Sequence, residues 1–224
     1  MWVKLDKSEK MFGSIYYLLS YFLLPYLLSF LGSLLNIPVW CCQMALFALN
    51  FLFTLLIFHR FLLENGKAAV SSVGKTLGYS ALGLVFYYTA NLVVSYGIFW
   101  IRPEYTNLND ATIVSLAENG SKWIAAGSVI LVPLAEELLF RGILFAGVRQ
   151  RFPIGAWFLS AAAFSAVHIL GYIGSYDFVS FLLAFVQYLP AGFCLAYAYA
   201  ASGTILAPVM MHTVINLVGV LILL

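Results

Sequence analysis

The stretch that decides the fold is residues 122–148, which read KWIAAGSVILVPLAEELLFRGILFAGV. It is long and apolar enough to cross a bilayer as a helix, which needs about 20 residues. Near its centre, however, lie Glu136, Glu137 and Arg141. A charge at the bilayer centre costs at least ~2.5–3.5 kcal/mol on insertion scales, and such residues usually mark a functional site. The stretch therefore predicts a membrane protein with an intramembrane site.

The composition of the whole chain supports this interpretation. Hydrophobic residues make up 63% of the 224 residues and charged residues 9%, against roughly 25% charged residues in an average soluble domain. The mean hydropathy is +0.98. Apolar runs of about 20 residues exceed the ~10-residue strands of membrane barrels. We expect an all-α, polytopic membrane helix bundle, with no pattern that indicates a nucleic-acid partner.

Seven membrane spans are expected, with a range of six to eight. A tight turn is predicted at 36–38, a polar loop at 64–67, and kinks at Pro25 and Pro190. The apolar run after Lys10 is too long for a signal peptide, so we interpret it as an uncleaved first span. Cys41, Cys42 and Cys194 have neither disulfide nor zinc-ligand spacing and are expected to pack in the spans. The predicted spans are 12–35, 38–63, 76–101, 122–148, 153–173, 178–201 and 204–224.

These spans divide into two regions that we expect to form one integrated membrane domain. Residues 1–121 would be an N-terminal membrane region of three spans and an external loop, 103–121, that could be structured or form a lid. Residues 122–224 would be the core, with four spans. Eight loop Lys and Arg residues would lie on the same side of the membrane as the N-terminus, and two on the opposite side. Because cytoplasmic loops carry an excess of Lys and Arg, this count predicts a cytoplasmic N-terminus and an external C-terminus.

Three groups of polar residues in the core could carry chemistry. Glu137 and Arg141 are i,i+4 neighbours that can pair, which would leave Glu136 free to face a cavity as a general base. The same three charges could instead form a buried salt-bridge cluster that only fixes packing. The third histidine, His59, lies at a span end and is assigned no role.

The other two groups lie on later spans. His168 follows Phe164 by one helical turn, and His212 precedes Asn216 by one turn. The imidazole and carboxamide of the second pair share one face and could donate hydrogen bonds to a developing oxyanion. These residues could equally be interhelical hydrogen-bonding groups, each worth only ~0.6–2 kcal/mol in a membrane.

In this order, the motifs Glu-Glu-x-x-x-Arg (136–141), Phe-x-x-x-His (164–168) and His-x-x-x-Asn (212–216) resemble those of the CPBP family. This family, also called Abi, groups type II CAAX prenyl endopeptidases with bacteriocin-processing and immunity proteins. The resemblance covers about 122–224 and favours a bacterial cell membrane.

The resemblance implies an intramembrane glutamate-dependent peptidase without a cofactor. It assigns Glu136 as the base that activates water, with His168 assisting, and His212 and Asn216 as the oxyanion hole. The supporting residues would be Glu137, Arg141 and Phe164. The substrate would be a peptide or lipidated peptide in contact with membrane lipid, in bacteriocin processing or self-immunity or in CAAX-type processing. The oligomeric state is not predicted.

Three alternatives stay open at this point. Glu136, His168 and His212 are ligand types that could bind zinc as a metal-dependent membrane protease does. A non-catalytic bacteriocin-immunity or peptide-binding membrane protein could use the same fold. A proton-coupled transporter could use the buried Glu and His residues as a relay, although no inverted repeat is visible.

Overall fold

The computed structural model of the protein describes residues 3–119 and 122–223, and this part of the chain is helical without β-strands. The expected all-α, polytopic fold is confirmed. The helices are α1 (Lys7–Phe22), α2 (Leu24–Leu34), α3 (Val39–Ile57), α4 (His59–Ser71), α5 (Val73–Ile101), α6 (Leu108–Asn119), α7 (Lys122–Ile130), α8 (Val132–Glu137), a π-helix (Leu138–Phe145), α9 (Ala146–Arg149), α10 (Pro153–Leu170), α11 (Phe178–Ser202) and α12 (Leu206–Leu223).

Four helices within the described ranges are long and apolar enough to cross a membrane: α3, α5, α10 and α11. The pair α1 and α2 makes a fifth span if taken together, and it is bent by 45° at a break just before Pro25. This bend lies where the proline was expected to kink the first span, whereas Pro190 lies inside a continuous α11. The protein is therefore an integral membrane protein.

Of the seven predicted spans, 122–148 and 204–224 are not among the described helices and the bent pair that are long and apolar enough to cross a membrane. The predicted span 38–63 is divided between α3 and α4. Segment 122–148, predicted as one helix, is divided into α7, α8, the π-helix and α9. A proline in the first turn of α8, Pro133, has no backbone N–H to donate to the preceding turn, which favours a break there. The last predicted span, 204–224, contains the shorter apolar helix Leu206–Ile222.

The polar loop predicted at 64–67 is wrong, because these residues lie inside α4. Asn65 is 1% exposed and not solvated. Its Nδ2 donates to the Phe61 carbonyl at 2.9 Å, and its Oδ1 accepts from the Ile205 N–H at 2.9 Å. Lys67 pairs with Glu64 on the exposed side. The polar residues thus belong to an amphipathic helix that supports the start of α12.

Among the described helices, α10 and α11 make the most extensive contact with each other. Gly192 makes this close approach possible, since a Cβ at that position would lie 2.7 Å from the Ala161 Cα. The helix α11 also packs on α5, and α12 packs on both α5 and α11. The first helix, α1, packs on the π-helix, and α3 packs on α7 and α8. Elements from both predicted regions therefore surround α8 and the π-helix.

The π-helix begins directly after Glu137. Such segments are rare and occur frequently at functional sites, because they change which residues share a helix face. The Phe140 carbonyl within it accepts a hydrogen bond from the Ser160 hydroxyl of α10 at 3.0 Å. This buried contact satisfies a backbone acceptor in the middle of the irregular segment.

Candidate active site

A cavity of about 500 Å³ lies between the two predicted regions of the chain. The core contributes Glu136, His168, His212 and Asn216 to its lining, and α1 and α3 contribute residues that include Tyr17. The Tyr17 hydroxyl donates to the Ala135 carbonyl at 2.6 Å, next to Glu136 in the chain. The first spans therefore form part of the wall around the motif residues.

The carboxylate of Glu136 meets both histidines in this cavity. Its Oε2 lies 3.9 Å from Nε2 of His168 and 3.8 Å from Nε2 of His212, and its side chain is 16% exposed. Within the described part of the chain, this oxygen accepts no hydrogen bond. The three motifs are thus brought together from α8, α10 and α12.

The other ring nitrogen of each histidine is already engaged. Nδ1 of His168 lies 2.7 Å from the Phe164 carbonyl, and Nδ1 of His212 lies 2.8 Å from Oε1 of Glu137. Carbonyl and carboxylate oxygens only accept hydrogen bonds, so Nδ1 carries the proton in both rings. Each imidazole therefore presents Nε2 towards Glu136.

Glu137 and Arg141 form a fully buried ion pair behind this group. Arg141 Nη1 donates to Oε1 of Glu137 at 3.0 Å, and both side chains are 0% exposed. Arg141 Nη2 also donates to the Gly192 carbonyl at 2.9 Å. Because Oε1 of Glu137 also holds His212, the ion pair links α11 to the orientation of that imidazole.

Phe164 separates the buried arginine from the first histidine. The Arg141 guanidinium carbon lies 4.9 Å from the centre of its ring, and the His168 ring centre lies 4.4 Å from it. The ring is 2% exposed. Phe164 thus packs against both Arg141 and His168.

Asn216 also lines the cavity, but its amide is partly used. Its Nδ2 donates one hydrogen bond to the Ser128 carbonyl of α7 at 2.9 Å. A carboxamide nitrogen has two N–H groups. One donor of Asn216 is therefore left for a group bound in the cavity.

Three lining residues were not singled out from the sequence: Asn107, Asp110 and Tyr188. The Tyr188 ring of α11 stacks on His168 with centres 4.4 Å apart. Asp110 lies in α6, in the loop predicted as a possible lid, and burial raises the pKa of its carboxyl, an effect that a hydrogen bond from Tyr188 opposes. The cluster of Asn and Asp at 107–110 was a signal of polar function in that loop, whereas nothing in the sequence marked Tyr188.

A tetrahedral zinc site would place the ligand atoms of Glu136, His168 and His212 closer together than they lie here. Tetrahedral zinc holds ligands at about 2.0–2.1 Å, which places two ligand atoms about 3.4 Å apart. The distances from Glu136 to the two histidines are longer, at 3.9 and 3.8 Å. Across residues 3–119 and 122–223, no group of three or more His, Cys, Asp or Glu side chains could hold a metal ion.

Residues 118–218 match the family described as type II CAAX prenyl endopeptidase Rce1-like. Neither the curated proteins nor the solved structures gave a match. The matched range contains all three motifs, and the resemblance to the CAAX-protease family is confirmed. Over residues 118–218, the chain is therefore similar to the type II CAAX prenyl endopeptidases, a family of membrane proteases.

Proposed function

We propose that the protein is an intramembrane endopeptidase that hydrolyses a peptide bond with a water activated by Glu136. The observation that carries this proposal is the approach of the Glu136 Oε2 to within 3.9 and 3.8 Å of two imidazole nitrogens inside a cavity. A water oxygen can lie within about 2.8 Å of Oε2 and of either nitrogen, because these separations are shorter than two hydrogen bonds end to end.

In the proposed reaction, Glu136 takes a proton from this water while the oxygen attacks the carbonyl carbon of the substrate. His168 accepts a hydrogen bond from the second hydrogen of the water through its unprotonated Nε2, and this hydrogen stays on the oxygen of the intermediate. The tetrahedral intermediate then collapses, and Glu136 returns its proton to the leaving amine. The products are a new amine and a new carboxylic acid, which becomes a carboxylate by releasing the second water proton, and no covalent enzyme intermediate is needed.

Two side chains are proposed to stabilise the oxyanion of the intermediate. Asn216 offers the N–H that Ser128 does not use. His212 can donate from Nε2 only as an imidazolium, because its Nδ1 proton is held by Glu137 at 2.8 Å. Losing one oxyanion donor typically lowers kcat by about 10²–10³.

Glu137 and Arg141 are proposed to orient the site without touching the substrate. Arg141 balances the Glu137 charge at 3.0 Å and fixes it to the Gly192 carbonyl of α11. Glu137 then sets the tautomer and the direction of His212. Such supporting partners commonly determine how precisely a reactive ring is placed.

The proposed substrate is an apolar or lipid-carrying peptide segment that enters from the membrane. The described lining of the cavity contains Glu136 and Asp110 as acidic residues and no Lys or Arg. A peptide rich in acidic side chains would therefore be repelled. Both CAAX-type processing and processing of a bacteriocin-like peptide fit this class.

A binding protein that sequesters a peptide without cleaving it is the second candidate, because the same cavity could hold a peptide. The test is to incubate purified protein with membrane peptides in H₂¹⁸O and to detect fragments by mass spectrometry. We expect the wild type to yield fragments with ¹⁸O in the new carboxylate and Glu136→Gln to yield none. The matched control is Glu64→Gln, at an exposed position. Binding without fragments in the wild type would favour the second candidate.

A further inference from the structure

The imidazole of His168 is held by more than its hydrogen bond. Nδ1 is tied to the Phe164 carbonyl at 2.7 Å, which fixes one edge of the ring. The flat face packs on the Tyr188 ring, with centres 4.4 Å apart and planes inclined by 28°. Stacking of this kind opposes rotation of the imidazole about its bond to Cβ and so maintains the direction of Nε2.

Tyr188 is in turn held by the segment outside the membrane spans. Its hydroxyl lies 3.2 Å from Oδ1 of Asn107 and 3.2 Å from Oδ1 of Asp110. A phenol has one proton, so it donates to one of these oxygens at a time. Both acceptors come from the first turn of α6 and the residue before it, about 80 positions away in the chain.

Asn107 connects this turn to α11 at two points. Its Oδ1 also accepts from the backbone N–H groups of Asn109 and Asp110, at 3.0 and 3.1 Å, and so caps α6. Its Nδ2 donates to Oε1 of Gln187 at 3.0 Å. The first turn of α6, Gln187 and Tyr188 therefore form one hydrogen-bonded unit on the wall of the cavity.

We propose that Tyr188 is a positioning residue for His168, and that the segment 107–110 acts on the site by holding Tyr188. The loop 103–121, predicted as a possible lid, then forms part of the cavity wall and supports His168 through Tyr188. This inference rests on the proposed function for its effect on the rate. Its geometric part, the restraint of His168, can be measured without any activity.

The kinetic experiment compares Tyr188→Phe, which keeps the ring, with Tyr188→Leu, which removes it. We expect Tyr188→Leu to lower kcat by about tenfold to a hundredfold with little change in KM, since small misplacements of catalytic groups have effects of this size. Tyr188→Phe should lower kcat by a smaller factor, about threefold, because the stacked face is retained while the hydroxyl contacts to Asn107 and Asp110 are lost. Tyr197→Leu, on the same helix and packed on Phe86, is the matched control and should keep the wild-type rate.

The second readout is the rate at which diethylpyrocarbonate modifies each histidine, measured by peptide mass spectrometry. The reagent attacks an unprotonated ring nitrogen, which for His168 is Nε2. Tyr188→Leu should speed modification of His168 at least threefold and leave that of His212 unchanged, and Asn107→Ala should act in the same direction. If Tyr188→Leu does not fold, Asn107→Ala decides the question.

Unchanged His168 reactivity in the folded variants would overturn the proposal, as would an equal loss of kcat in Tyr197→Leu. If the wild type cleaves no peptide, the proposed function fails. The change in His168 reactivity then still decides whether Tyr188 positions the ring.

Discussion

Replacing Arg141 by alanine tests the buried charge arrangement behind the site. The guanidinium is 0% exposed, pairs with Glu137 at 3.0 Å and donates to the Gly192 carbonyl at 2.9 Å. It also lies 4.9 Å from the centre of the Phe164 ring. Arg141→Ala removes all three contacts and leaves the Glu137 carboxylate buried without its cation.

The loss of stability expected for Arg141→Ala follows from these contacts. Removing one partner of a buried ion pair typically costs about 3–5 kcal/mol, because the other charge stays buried. The Gly192 carbonyl, left without its side-chain donor, adds up to about 1–3 kcal/mol. Proteins are commonly stable by only about 5–15 kcal/mol. We therefore expect a low yield of folded Arg141→Ala protein and a melting temperature reduced by several degrees, together with lost activity.

The assay is expression in membranes followed by thermal unfolding in detergent. Lys67→Ala is the matched control, since Lys67 forms a similar 2.7 Å pair with Glu64 at an exposed position, and such pairs are worth about 0–1 kcal/mol. The double variant Glu137→Gln with Arg141→Gln removes both charges and should recover part of the stability without activity. Arg141→Ala with a normal yield and melting temperature would refute the reasoning.

Three further outcomes are expected. Gly192→Ala should destabilise the protein by about 1–3 kcal/mol, because the new Cβ would meet the Ala161 backbone. Gly78→Ala is the control and should not destabilise the protein, since nothing lies within 4 Å of its new Cβ. Equal melting temperatures of the two variants would contradict the close helix contact. Asp110→Asn should raise the melting temperature at pH 8 but not at pH 4. Burial raises the pKa of the Asp110 carboxyl, so the stability that its protonated form gives is lost as pH rises. The amide oxygen of the variant can still accept a hydrogen bond from Tyr188. A difference in melting temperature that does not depend on pH would contradict this. Exhaustive chelation should leave peptide cleavage intact, and loss that zinc restores would favour the metal-dependent alternative.

The convergence of the motifs follows from features that a sequence displays. Charge in a stretch that is otherwise apolar is expensive unless it is paired, so Glu137 and Arg141 could be expected to meet one helical turn apart, and they do. His212 and Asn216 share a face for the same reason of helical spacing, and both line the cavity. Local periodicity is sufficient for predictions of this kind.

Other features depend on contacts that periodicity does not encode. Asn65 was predicted in a loop because Asn and Gly usually mark turns, yet its side chain is buried between α4 and the start of α12. Tyr188 is one aromatic residue among many in an apolar helix, and its partners Asn107 and Asp110 are about 80 positions away. The π-helix likewise interrupts a segment whose composition predicted a continuous span. Tertiary packing, rather than local pattern, determined each of these.

Chemical rescue of the cleavage reaction tests the role of Glu136 most directly. Glu136→Ala removes the carboxylate that faces both imidazoles and leaves room in the cavity for a small carboxylate such as formate. The account predicts no measurable cleavage by this variant alone and a recovery that rises with formate concentration, while the wild type is not stimulated. Cleavage by Glu136→Ala at the wild-type rate without formate would contradict it.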